Sequence, residues 1–212
     1  VVVIGAGGAG LRAAIEAARS GSKTAIICKS LLGKAHTVMA EGGAAAALGN
    51  ADDRDGWKVH FKDTMKGGKY LNNWRMAQIH AQESADRIRE LEQWGAVFDR
   101  TPAGLINQRN FGGHTYPRLA HVADSTGLEI IRTLQEKGIH SGIDIFMEYT
   151  VSHLLQDEDG TCTGCVAYNR VDGAMHAYSA KSTILATGGI TRCWSVCSGS
   201  WEYTGDGHAL AL

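Results

Sequence analysis

Six residues near the start of the chain, GAGGAG, place Gly5, Gly7 and Gly10 in G-x-G-x-x-G spacing. In that pattern the first glycine permits a tight turn, the second lets a pyrophosphate approach the backbone, and the third lets a helix pack closely on a strand. Anion binding there needs no charged side chain, because a helix N-terminus supplies amide donors and a positive dipole end. A little downstream, GKAHTVMAEGG sets one histidine, His36, among small residues, where cofactor loops are usually built from glycine and backbone amides alone. A lone histidine is ordinarily a core or surface group, and it is the position of His36 that raises the question of chemistry.

For the hexapeptide to hold a dinucleotide it must lie between a buried strand and a helix, and the flanking sequence predicts both. Val1 to Ile4 is a β-branched apolar run, the pattern of a parallel strand buried on both faces. LRAAIEAARSG keeps Arg12, Glu16 and Arg19 on one side of a helix, with Gly21 placed as a left-handed cap, and Lys23 to Cys28 is a second strand. A right-handed β-α-β crossover makes the two strands a parallel pair. Gly5, Ala6, Gly7, Gly8, Ala9 and Gly10 are therefore read as the phosphate-binding turn. The acid that would hold a ribose at the end of the second strand is missing, since the segment reads Cys28, Lys29, Ser30. That weakens a nicotinamide reading and leaves Ser30 or backbone groups for the ribose and Lys29 for a phosphate. Ile184 to Gly189, ILATGG, again pairs a buried strand with a glycine turn and adds Ala186, Thr187 and Gly188 as contacts. In TGDG, Asp206 precedes an apolar helix and is either its N-cap or a carboxylate for a ribitol or ribose hydroxyl.

The rest of the chain reads as scaffold. Asn72 to Trp94 predicts an amphipathic helix with a stripe of Met76, Ile79, Ile88 and Leu91. Thr126 to Lys137 predicts another, with Thr126 and Glu129 at capping-box spacing, a stripe of Leu128, Ile131 and Leu134, and Gly138 as its stop. The block 57–138 is thus expected to be mainly a helical insertion within one domain, 1–212. After Gly142, IDIFMEYTVSHLL, TCTGCVAYNR and AMHAYSA predict a β-meander that feeds the buried strand STILAT. Twenty-one basic residues stand against 22 acidic ones, with no run of one sign to recruit nucleic acid. No apolar run approaches the ~20 residues of a membrane helix. Cys162 and Cys165 are spaced as metal ligands, but on a strand positions three apart face opposite sides, so no metal site is expected. The chain opens inside a strand and closes partway along a helix, and both ends are read as truncated.

VVVIGAGGAG, AHTVMAEGG, QRNFGGHTYPRLAHVADSTG, ATGG and WEYTGDGHALA, in this order, resemble the flavoprotein subunit of succinate dehydrogenase and fumarate reductase in bacterial complex II. The resemblance covers essentially the whole chain. It implies an α/β, Rossmann-like FAD-binding fold with a parallel sheet, a helical insertion and a β-meander. It further implies that His36 matches the histidine bonded covalently to the 8α-methyl carbon of the flavin, a linkage that raises the flavin potential. Ala35, Thr37, Ala40, Gly42 and Gly43 would lie along the cofactor, and Val151 would contact the adenine. Phe111 would pack on the substrate carbons. Glu41 falls where many family members carry glutamine, and a carboxylate near a dianionic substrate is repulsive unless protonated or paired. The family's catalytic arginine and substrate-clamping residues belong to segments after Leu212, so no catalytic residue is assigned within 1–212. The same resemblance implies succinate and fumarate as substrates, with an iron-sulfur subunit to take the electrons. It also implies a membrane-anchor subunit, which would place the chain on the cytoplasmic face of the cell membrane. A rival is an L-aspartate oxidase-like flavoprotein, which holds FAD non-covalently and lacks a histidine here. Another is a flavin-binding module without turnover of its own.

Overall fold

The apolar start of the chain builds the centre of a parallel sheet. A computed structural model describes residues 1–212. Its elements begin with β1 (Val2–Ile4), α1 (Gly8–Arg19) and β2 (Ala25–Cys28), followed by β3 (Ala44–Ala45), α2 (Trp57–Gly67) and α3 (Trp74–Gln93). Then come β4 (Gln108–Arg109), β5 (Leu119–Ala120), α4 (Thr126–Ile139) and β6 (Asp144–Met147). β7 (Tyr149–Gln156), β8 (Cys162–Asn169), β9 (Met175–Ser179), β10 (Thr183–Leu185) and α5 (Asp206–Ala211) complete the order. The chain divides into two compact units, Val1–Val38 with Leu134–Leu212, and Met39–Thr133. No helix is long and apolar enough to cross a membrane.

In the first unit, four strands pair in parallel in the order β10-β1-β2-β6, with Val3 opposite both Ile184 and Ile26. Helix α1 buries Gly10, Leu11, Ala14 and Ile15. Two glycines make its junction with the sheet possible. A Cβ on Gly10 would lie 1.9 Å from the Gly5 carbonyl oxygen, and one on Gly5, at φ +107°, would lie 2.3 Å from the Ala186 oxygen. No side chain fits at either place. Gly21 has φ +82° and its amide donates to Ala18, closing α1 as expected.

The long strand expected over IDIFMEYTVSHLL is two strands. Glu148 adopts φ +63°, a left-handed conformation that breaks the extended run, so β6 joins the parallel sheet and β7 opens an antiparallel sheet in the order β7-β8-β9. Val2, Ile4, Ile27, Cys165 and Ala167 form one buried cluster of this unit. Cys165 lies fully buried there, and burial pushes its thiol up to about 11. Helix α4 runs to Ile139 instead of stopping at Gly138, which stays helical beside Leu11, and the left-handed turn comes at Gly142 with φ +69°.

In the second unit, α2, α3 and the first turns of α4 supply the helix, while residues 94–125 carry only the short β4 and β5. β3, β5 and β4 form a small antiparallel sheet over a core of Ala46, Ile88, Ala96, Phe98, Ile106 and Ala120. The packed stripe of α3 is Ala77, Ala81, Ser84 and Ile88, whereas Met76 and Ile79 are 60% and 46% exposed. Small residues at spacings of four and three bring that helix close to its neighbours, so the larger apolar side chains point away. Leu128 of α4 is likewise exposed, while Ile131 and Leu134 are buried. The capping box does not form, because Thr126 Oγ1 accepts from the Val122 amide and the Glu129 carboxylate accepts from the Val97 amide. Arg118 is fully buried, and its guanidinium bridges Asp55 Oδ1 at 2.8 Å and Asp63 Oδ2 at 2.9 Å.

Replacing Gly10 by alanine is expected to lower the stability of the protein by at least about 3 kcal/mol, since helix and turn must part to admit the methyl group. Thermal unfolding followed by circular dichroism should show a midpoint roughly 10 °C lower. An unchanged midpoint would mean that α1 does not press on the Gly5 turn.

Candidate functional site

β1, β2 and β10 run in the same direction and end side by side, so the loops that leave their carboxyl ends face a common space. Ligands of open α/β sheets bind in such a crevice. Here it is a cavity of about 470 Å³, within the span of about 300–1,000 Å³ usual for small-molecule sites. Gly5, Ala6, Gly7, Gly8 and Ala9 line it from β1, and Cys28, Lys29 and Ser30 from β2. Ala186, Thr187 and Gly188 line it after β10, joined by Ala35, His36, Thr37, Val151 and Asp206. Gly10 is absent from the lining because it is buried at the junction with the Gly5 turn. Ala40, Gly42 and Gly43 are also outside it and belong, with Glu41 and Phe111, to the second unit.

The lining fits a phosphate-bearing group at one residue in particular. Gly7, the N-cap of α1, has an ordinary φ of −78°, and a Cβ there would meet Ala35 Cβ at 3.4 Å and Thr37 Oγ1 at 3.6 Å. The chain itself does not require glycine at this position, in contrast to Gly5 and Gly10. A ligand lying against the backbone would. As N-cap it has no side chain to satisfy the first amides of the helix, and the Gly8 amide reaches across to Thr37 Oγ1 at 3.1 Å. The positive end of a 12-residue helix thus faces the cavity lining.

The charged groups are arranged differently from the expectation. The Lys29 ammonium donates to Asp206 Oδ2 at 2.7 Å, to Thr204 Oγ1 at 2.7 Å and to the Glu202 carbonyl at 3.1 Å, so its three donors are committed within the chain. Asp206 is in the first turn of α5, whose N-cap is Gly205 at φ +76°, so it is not the cap. Burial alone would raise the Asp206 carboxyl, but the hydrogen bonds from Lys29 and Thr204 and the Lys29 charge outweigh it and hold it below the usual range. Asp206 is therefore an ionised acceptor at neutral pH. Ser30 Oγ donates to the Lys34 carbonyl. Burial pushes the Cys28 thiol up to about 11, and it donates to the Ser30 and Phe146 carbonyls, which excludes it as a thiolate nucleophile.

His36 opens a 3-10 turn, His36–Met39. Its Nδ1 accepts from the Ser200 amide at 3.2 Å, and its ring stacks on Tyr203 with centroids 4.3 Å apart and planes tilted by 39°. Tyr203 and Tyr149 also line the cavity. Neither was expected from sequence; Tyr203 stands in EYTGDG, where an aromatic beside a glycine turn is the available signal, while Tyr149 in EYT has no such cue.

In the second unit, Gly42 and Phe111 come together, for a Cβ on Gly42 would lie 3.6 Å from the Phe111 ring. Phe111 is 58% exposed, so it is not core packing. Arg109, which sequence reasoning passed over, donates from Nε to the Gly42 carbonyl at 2.7 Å and from Nη2 to the Glu41 carbonyl. Gly43 has φ +119° and no room for a side chain beside Ala120. Glu41 is exposed.

A family model described as "FAD binding domain" matches residues 1–212. A fumarate reductase (CoM/CoB) subunit of Methanothermobacter marburgensis is 42% identical over 212 residues, covering 100% of this chain and 39% of that protein. The succinate dehydrogenase flavoprotein subunit of Rickettsia conorii is 41% identical over 220 residues, covering 100% of this chain and 37% of that protein. Among solved structures, the Mycobacterium smegmatis Sdh1 complex in the apo form superposes with a TM-score of 0.95 at 58% identity, covering 100% of this chain and 38% of that one. The chain thus spans less than two fifths of the length of each of these three proteins.

Gly7→Ala separates ligand from scaffold. It should change the stability of the ligand-free protein by no more than about 1 kcal/mol. Titration calorimetry with ADP, which carries a pyrophosphate and no flavin, should show binding weakened at least about tenfold. Equal affinity would remove the pyrophosphate from this turn.

Proposed function

The chain belongs to the FAD-binding domain family, and on that premise we propose that it is the FAD-holding part of a flavoprotein subunit that interconverts succinate and fumarate. The observation that carries the reading is the position of His36, which lines the same cavity as the Gly5–Ala9 turn and Asp206. The names of the relatives, a fumarate reductase and a succinate dehydrogenase, support the dicarboxylate part.

On this reading Gly7 and the start of α1 hold the pyrophosphate, Asp206 accepts from a ribose or ribitol hydroxyl, and Val151 meets the adenine. Ala35, His36 and Thr37 hold the flavin end. Bound there, the flavin supplies a hydride donor or acceptor at N5. His36 would be the attachment point: an imidazole nitrogen would lose its proton to solvent as it bonds to the 8α carbon in place of one hydrogen, and the flavin, with an external oxidant such as dioxygen, would supply the two-electron sink for that bond. Phe111 offers an apolar face to the substrate carbons, and Arg109 fixes the Glu41–Gly42 backbone on the dicarboxylate side. Glu41 itself belongs to this side on the same reading, with its charge unsuited to a dianion unless paired. Electrons pass first to an iron-sulfur subunit, then to quinone by way of a membrane-anchor subunit. The chain would then sit peripherally on the cytoplasmic face of the membrane. Turnover is assigned to the full-length protein, because no acid-base group for the reaction is identified among these residues.

Full-length protein precipitated with acid and run on a denaturing gel should give a fluorescent band. His36→Ala should abolish the fluorescence while FAD still binds non-covalently. Flavin released to the supernatant by the unmodified protein would contradict covalent attachment, and a fluorescent His36→Ala band would contradict the assignment to His36.

A further inference from the structure

Tyr203 occupies an unusual place for an aromatic residue. A Cβ on Gly188 would lie 2.8 Å from its Cε1, and one on Gly189 would lie 3.3 Å from its Cδ2. The ring is therefore wedged over the glycine turn that follows β10, and the His36 ring lies beside it with centroids 4.3 Å apart. The backbone on either side is held. The Tyr203 amide donates to the Ser200 carbonyl, the Arg192 amide donates to the Tyr203 carbonyl, and Lys29 grips Glu202 and Thr204 from β2. Ser200, three residues earlier, presents its amide to His36 Nδ1.

A hydrogen bond accepted at Nδ1 settles the tautomer of a neutral imidazole, since the ring proton must then sit on Nε2. Stacking fixes the plane of the ring, and the hydrogen bond fixes its rotation in that plane. We infer that Tyr203, with the Ser200 amide, is a positioning residue for His36. Together they hold the imidazole in one tautomer and one orientation at the cavity before any cofactor arrives. The inference rests on the reading of His36 as the attachment point. Its physical effect is preorganisation of the ring's orientation: with Nδ1 engaged by the Ser200 amide, Nε2 is the nitrogen that would bond, giving up its proton to solvent as the bond forms.

The test uses full-length protein prepared without flavin. FAD is added, and acid-stable flavin is followed over time for the unmodified protein, Tyr203→Phe and Tyr203→Leu. Tyr203→Phe keeps the ring and should attach flavin at the normal rate. Tyr203→Leu should attach it roughly three- to tenfold more slowly, the factor that loss of one aromatic contact carries. Because Tyr203 lines the cavity, rates are compared at saturating FAD, so that any loss of non-covalent affinity does not enter the attachment rate. If Tyr203→Leu does not accumulate folded, Tyr203→Met fills the space without a ring face and is read in the same way. A second readout needs no flavin. Nitrogen-15 spectra of histidine-labelled protein, with His36 assigned by difference from His36→Gln, should show Nδ1 unprotonated in the unmodified protein and a mixture of tautomers in Tyr203→Leu. A single tautomer and an unchanged attachment rate in Tyr203→Leu would overturn the inference. Absence of covalent flavin from the unmodified protein would defeat the attachment reading instead, and the tautomer spectra would still decide the role of Tyr203.

Discussion

The fold depends on one close approach of backbone to backbone. The Gly5 carbonyl sits where a Gly10 side chain would be, and the Ala186 carbonyl sits where a Gly5 side chain would be. These contacts press the start of α1 against the ends of β1 and β10. Once they are made, the N-terminus of the helix can only face the crevice beyond the strand ends, and the loop after β10 must lie beside it. The cavity is a consequence of that crowding. Backbone bounds it at the Gly5–Gly8 turn, and side chains such as His36, Tyr149 and Asp206 line the rest.

The electrostatics of the cavity follow from the same arrangement. A site for a doubly charged pyrophosphate is usually sought among lysines and arginines, yet Lys29 is committed to Asp206, Thr204 and Glu202. The positive potential comes instead from a helix end and its amides, which carry no formal charge and are not neutralised by nearby carboxylates. Lys29 does something else, for it joins β2 to the 202–206 segment and keeps Asp206 ionised as an acceptor. The second unit treats charge in the opposite way, burying Arg118 completely between Asp55 and Asp63. A buried ion cluster of this kind is weak evidence for net stability, because desolvation offsets the attraction.

What could be read from sequence was whatever has a short-range steric cause. Gly5 and Gly10 are five residues apart, and their spacing already implies the turn and the helix contact. The parallel pairing of β1 with β2 follows from the short crossover between them. Features set by distant partners were not legible. Nothing local tells that Lys29 will meet Asp206, 177 positions on, or that Ser200 will reach His36 across 164 positions. The packed face of α3 was misjudged because hydrophobicity was followed where small size decides, so Ala77 and Ala81 are buried while Met76 is exposed. The break at Glu148 had no glycine to announce it, since a non-glycine residue takes the left-handed conformation there. Glu41 and Phe111 were found through a motif, but the residue that holds that backbone, Arg109, was hidden by its distance from Gly42.

On the proposed reading the crevice beside α1 holds FAD and His36 is its tether. Trypsin cuts after Lys34 and after Arg54, so His36 falls on the peptide Ala35 to Arg54 and is the only histidine in it. Digestion of the full-length protein, followed by mass spectrometry of the flavin-fluorescent peptide, should find the added mass of FAD on this one peptide. Flavin on any other peptide, or on none, would contradict that reading.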